Sequence, residues 1–105
     1  MRQKSFVRYL DVDNRVRVSF QVDRGRIKRF VIQYEALLET GWYPIIRYDT
    51  AHGFAHADLF HPGSKTEKIP METADYNEAF TLAQEDINQH WEQYLKSYLR
   101  EKKGR

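Results

Sequence analysis

The 105-residue chain has no cysteine, only three prolines and only five glycines. Without thiols, disulfides, iron–sulfur clusters, thiolate metal sites and cysteine nucleophiles are all excluded. So few prolines and glycines leave no linker or low-complexity tract, and no internal repeat is visible. No apolar run approaches the ~18 residues of a membrane span, and Met1-Arg2-Gln3-Lys4-Ser5 leads into no signal-type apolar stretch. There is no glycine-rich phosphate loop, and Ser5, Ser19, Ser64 and Ser97 sit in no nucleophile elbow. What remains is 41% hydrophobic, 30% charged, and rich in tyrosine (seven) and phenylalanine (six), enough for one core. The expectation is a single cytoplasmic domain over residues 1–105 with no membrane contact.

Charge is unevenly spread. Residues 1–30 carry nine Lys or Arg against three Asp, whereas residues 31–105 carry eight basic and twelve acidic groups. A basic face that meets RNA or an acidic partner is one outcome. The plain structural alternative is that arginines and lysines solvate the outer face of a sheet and protect its edges.

Period-two alternation dominates the first two thirds. Residues 5–10 read as a strand. Val16, Val18, Phe20 and Val22 then alternate with polar neighbours, and Phe30, Ile32, Tyr34, Ala36 and Leu38 form a matching set. Keeping both sets on one face pairs Phe20 with Phe30, Val18 with Ile32, Val16 with Tyr34 and Arg15 with Glu35. That register requires an odd loop, expected as three residues with a bulge at Gly25. By the same mirror rule a fourth strand, Trp42–Tyr48, places Leu38 opposite Trp42 and Tyr34 opposite Ile46. Pro44 then needs a bulge, an edge or a non-bonded position. A fifth strand is expected over Phe54–Phe60, a type II turn over His61-Pro62-Gly63-Ser64, and a polar edge strand over Lys65–Ile69.

The last third changes period. Tyr76, Phe80, Ala83, Ile87, Trp91, Tyr94 and Tyr98 recur every three or four residues, the stripe of an amphipathic helix over 74–102 capped by Thr73. Such a helix is roughly 43 Å long at ~1.5 Å per residue, against ~20–25 Å for a typical strand. It is therefore expected to bend, overhang or pack its far end on another subunit. The fold class is α+β: an antiparallel meander of five to six strands, about 5–70, with one long C-terminal helix on one face.

Chemistry concentrates between Arg47 and His61, which hold three of the four histidines. In strand five, His56 and Asp58 share a face, and Ala55, Ala57 and Leu59 share the other. Burying charge under the helix is costly, so the alanines turn inward. Arg47, Asp49, His52, His56 and Asp58 then gather on the open face, with Phe54, Phe60, Tyr43 and Ile45 as an apolar rim. Three readings follow. In the first, the cluster cleaves a phosphodiester without metal: His52 or His56 transfers protons, Arg47 holds phosphate and Asp49 orients a histidine. In the second, His52, His56, Asp58 and His61 ligate a metal, though the spacing matches no diagnostic motif. In the third, Asp49 caps a His52-Gly53 turn and Arg47 pairs with Asp58 across strands. His90 reads as a boundary residue beside Trp91.

The stretch Arg47-Tyr48-Asp49-Thr50-Ala51-His52-Gly53-Phe54-Ala55-His56-Ala57-Asp58 resembles the signature of a small prokaryotic family with no established activity, which implies the sheet-plus-helix fold. More faintly, Arg47, Tyr48, Asp49 and His52 resemble the Arg-aromatic-Asp-Asn-x-Pro-His stretch of TumE-type toxin–antitoxin proteins, Thr50 standing in place of the Asn. The leading expectation is RNA binding or metal-independent RNA cleavage through Arg47, Asp49, His52, His56 and Asp58, in a toxin–antitoxin-like role with RNA or a cognate protein as partner and no cofactor or metal. The alternative is a non-catalytic module that dimerises through the helix end or the apolar open face.

Overall fold

A computed structural model describes every residue except Ser64 and Arg105. Six strands follow one another: β1 (Arg2–Asp11), β2 (Asn14–Asp23), β3 (Arg26–Leu38), β4 (Gly41–Asp49), β5 (His56–His61) and β6 (Lys65–Pro70). They lie in one sheet in sequence order, every neighbouring pair antiparallel. A short 3₁₀ turn (Ala51–Gly53) joins β4 to β5, and one helix, α1 (Tyr76–Lys103), closes the chain. The α+β meander with a single C-terminal helix is the architecture the hydrophobic periods demand. No helix among the described residues is long and apolar enough to cross a membrane.

The β2–β3 register matches the alternation: Phe20 faces Phe30, Val18 faces Ile32, Val16 faces Tyr34 and Arg15 faces Glu35. The odd residue is not in the loop. Arg24 and Gly25 form a two-residue turn with φ of 52° and 77°, the two positive values a type I′ hairpin needs. The extra residue is Lys28, left between the Gln21–Arg29 and Val22–Ile27 pairs. A second bulge leaves Ile45 between the Tyr34–Ile46 and Glu35–Pro44 pairs. It lets Pro44 sit where the ladder is already broken. It also moves Trp42 opposite Leu37 rather than Leu38.

On one face Val16, Val18, Phe30, Ile32, Tyr34, Ala36, Ile46 and Ala57 bury against Ala79, Ala83 and Ile87 of α1. Aromatic rings bridge the layers: Phe80 lies 4.9 Å from Phe20 and 5.5 Å from Phe30, and Trp91 5.9 Å from Tyr34. The helix is capped by Asp75, not Thr73: its carboxylate accepts the Glu78 N–H at 2.8 Å. That bond, with the Arg26 guanidinium at 2.8 Å, holds the Asp75 carboxyl below its ordinary range.

The expected overhang is absent. β3 has 13 residues, about 43 Å at ~3.3 Å per residue, and the 28-residue helix is about 42 Å long. The two lie along each other. At one end Asn77 bonds Ile27 and Gly25; at the other Glu101 meets His61 and Lys102 lies over the Tyr43 ring. The unusually long central strand β3 supports the helix along its length.

Candidate functional site

β4 and β5 pair Ile46 with Leu59, Arg47 with Asp58, Tyr48 with Ala57 and Asp49 with His56. Ile46, Tyr48 and Ala57 belong to the core beneath α1. Arg47, Asp49, His56 and Asp58 therefore share the opposite face, and the small alanines do point under the helix.

The imidazole of His56 was expected to meet solvent beside Arg47. It does not: His56 is 1% exposed. β6 continues the sheet and pairs Pro70 with His56, so β5 is an interior strand. The carboxylates of Asp49 and Asp58 and the ring of Phe54, 5.4 Å away, complete the enclosure. His56 Nδ1 lies 3.3 Å from the Phe54 carbonyl, which can only accept, so Nδ1 carries the proton. Nε2 faces Asp49 Oδ1 at 3.0 Å and Asp58 Oδ2 at 3.6 Å. Asp49 Oδ1 also accepts the Ala51 N–H at 3.0 Å, which caps the turn into β5. Asp58 Oδ1 is buried without a hydrogen bond among the described residues, although Lys68 Nζ stands 3.4 Å away.

The remaining candidates separate from this triad. His52 is exposed, with φ of 70°, on the 3₁₀ turn, its ring 6.2 Å from that of His56. Arg47 is in register with Asp58, but its Nε donates to Gln33 Oε1 at 2.7 Å and its guanidinium lies 5.1 Å from the Phe60 ring. His61 sits at the far end of β5 against Glu101, whose carboxylate raises its pKa. The ligand set His52, His56, Asp58 and His61 is thus replaced: the ligand-type atoms that converge, all within 4.8 Å of one another, belong to Asp49, His56 and Asp58. The apolar rim changes as well. Ile45 is buried in the core and Tyr43 turns toward Lys102, while Trp42 takes the open face, stacked 3.9 Å under the Arg15 guanidinium.

Beside the triad the open face is concave. A groove of about 520 Å³ runs over β1–β4 between Arg17 and Arg47, with Ser5, Ser19 and Gln33 on its walls and Val31 in its floor. A second hollow of about 440 Å³ continues past Arg29 and Gln21 to Asp49. Arg17 is 55% exposed, its nearest carboxylate oxygen 4.0 Å away on Glu35, which Arg15 already holds at 2.7 Å.

Residues 1–104 match the family model described as a domain of unknown function (DUF7718). The chain belongs to that family. No curated protein and no solved structure matches it. The DUF7718 description carries no activity, so function must be argued from the face itself.

Several participants escape a reading of the 47–61 stretch. Arg17, Arg29, Gln33 and Lys68 reach the face from β2, β3 and β6. Of these, the β2–β3 register alone would have located the first three; Lys68 needs the β5–β6 pairing that sets it opposite Asp58. A polar cluster under the helix was also unforeseen. Tyr48 and Tyr94 both donate to Asp86 Oδ2, and His90 Nδ1 lies 3.0 Å from Asp86 Oδ1. Its signal was the i, i+4 spacing of Asp86 and His90.

Proposed function

We propose that this DUF7718 chain binds single-stranded RNA through the sheet face turned away from α1. The observation that supports the reading is the groove flanked by Arg17 and Arg47 and extended by Arg29. Guanidinium groups spaced along a concave face match a phosphate backbone, and the serine and glutamine side chains offer hydrogen bonds to bases or ribose. Exposed Tyr9 and Phe54 stand at the margins of the face, where bases can stack. Arg47, Asp49, His52, His56 and Asp58 line or border this surface. The role assigned to them is binding and positioning rather than proton transfer, since an imidazole 1% exposed cannot meet a phosphodiester. Of the segment's histidines, His52 is exposed, His61 half-buried and His56 buried.

Fluorescence anisotropy with a labelled oligonucleotide of about twelve nucleotides tests this. Affinity should fall with salt at a log–log slope near −2, as expected at ~0.7 per contact for three phosphate contacts. Arg17→Glu with Arg47→Glu should weaken binding more than tenfold, whereas Lys96→Glu on the helix should not. No binding at low salt, or equal loss with Lys96→Glu, would overturn the reading. Cleavage of the oligonucleotide in chelator, abolished by His52→Ala, would show catalysis in place of binding alone. The toxin–antitoxin-like setting implied by the Arg47-to-His52 resemblance is tested by expression: growth arrest relieved by a neighbouring gene product supports it, and unaffected growth and RNA count against it.

A second reading, a non-catalytic module that pairs with a copy of itself, is favoured by β1, an edge strand with Phe6, Val7 and Tyr9 exposed. Light scattering separates the two: a dimer dispersed by Val7→Lys supports pairing, and a monomer at all concentrations excludes it.

A further inference from the structure

We propose that Asp49, His56 and Asp58 form a binding site for one divalent transition-metal ion, with Mn²⁺ the best match to two carboxylates and one imidazole. The site does not depend on RNA binding.

Two buried carboxylates converge on one imidazole nitrogen. His56 Nδ1 is committed to the Phe54 carbonyl, which directs Nε2 between Asp49 Oδ1 and Asp58 Oδ2. A proton on Nε2 can serve Asp49 at 3.0 Å but leaves Asp58 Oδ2 at 3.6 Å, beyond a normal hydrogen bond. The other oxygen of Asp58, Oδ1, is buried without a hydrogen bond among the described residues, with the Lys68 ammonium 3.4 Å away. A proton on Nε2 therefore reaches one of the two carboxylate oxygens that face it, whereas a cation between the three atoms contacts both.

Spacing agrees. Ligands about 2.1 Å from a metal lie about 3.0 Å apart at a right angle and about 3.4 Å apart at a tetrahedral angle. The two distances from Nε2 to the carboxylates cover that range. The outer shell has the form such sites use. The imidazole donates its second N–H to a backbone carbonyl, Asp49 is fixed by the Ala51 amide, and Lys68 stands against the far oxygen of Asp58. Asp49 also lines the hollow that opens past Arg29 and Gln21, the side from which an ion would approach. Three protein ligands leave coordination positions for water or an anionic ligand on that side. Hard carboxylate oxygen with a borderline imidazole nitrogen favours Mn²⁺, Fe²⁺ or Zn²⁺ over Mg²⁺, which prefers oxygen alone.

The test is titration of the full chain, stripped with chelator and free of RNA, with Mn²⁺ followed by loss of the free-ion electron paramagnetic resonance signal. One ion per chain is expected, competed by one equivalent of Zn²⁺ and only weakly by Mg²⁺. Asp58→Asn and Asp49→Asn should each weaken Mn²⁺ binding at least tenfold, while His61→Gln leaves it unchanged. No binding up to millimolar Mn²⁺ and Zn²⁺, or binding that survives Asp58→Asn, would overturn the site. Should the asparagine variants unfold, the ¹⁵N resonances of the wild-type histidines decide. Zn²⁺ should move the Nε2 of His56, and movement confined to His52, His61 or His90 would refute the proposal. RNA binding that fails while the metal binds, or the reverse, separates this site from the RNA reading.

Discussion

Asp86 takes the hydroxyls of Tyr48 and Tyr94 on one oxygen and His90 on the other, in the shade of the helix. Burial first, and then the Asp86 carboxylate, raises the pKa of both phenols, that of Tyr94 up to about 12. A raised folded-state value leaves stability intact below the unfolded phenol's ~10 and removes it as pH climbs through the folded value. The urea midpoint should therefore be level from pH 8 to 10 and fall toward pH 12. Asp86→Ala strands the buried Tyr48 hydroxyl and should cost about 1–3 kcal/mol at pH 7 by urea denaturation. Its alkaline decline should persist but be shallower, because burial, the larger cause, remains. An Asp86→Ala protein as stable as the wild type would mean that water replaces the carboxylate.

At the scale of the element, the hairpins show what alternation can and cannot reveal. The β2–β3 partners and the inward Ala55 and Ala57 were legible, because a half-buried strand has a period of two and one slip exposes every apolar residue. The bulges were not. Lys28 and Ile45 carry no signal distinct from their neighbours, and each absorbs one residue of parity that the loop was expected to hold. The burial of His56 was equally hidden, since it depends on β6 setting Pro70 beside it, a partner 14 positions away. Asp75 rather than Thr73 caps the helix because the first turn begins at Tyr76, which puts the Asp75 carboxylate on the Glu78 N–H; Arg26 of β3 joins it there. The type I′ turn gives a direct check. No atom lies within 4 Å of a Cβ built on Gly25, so Gly25→Val meets only the backbone cost of a positive φ. It should destabilise by about 1–2 kcal/mol, and Gly25→Asn by much less. Equal effects would show that the turn relaxes to another type.

The whole molecule measures 46 × 27 × 22 Å, and its longest dimension is that of β3 with α1 along it. Matching lengths leave the helix no overhang beyond the sheet. They also assign the two faces different tasks: one is filled by the helix, and the other is left to Arg17, Arg29, Arg47 and the Asp49–His56–Asp58 triad. The excess of positive charge in residues 1–30 comes to rest partly on that second face, through Arg15, Arg17 and Arg29. Amide chemical-shift mapping, with a short single-stranded RNA titrated into the ¹⁵N-labelled chain, bears most directly on this division. Perturbations should concentrate on Ser19, Val31, Gln33 and Arg47 and leave Ala83, Ile87 and Trp91 in place. Shifts centred on the helix, or none at low salt, would contradict it.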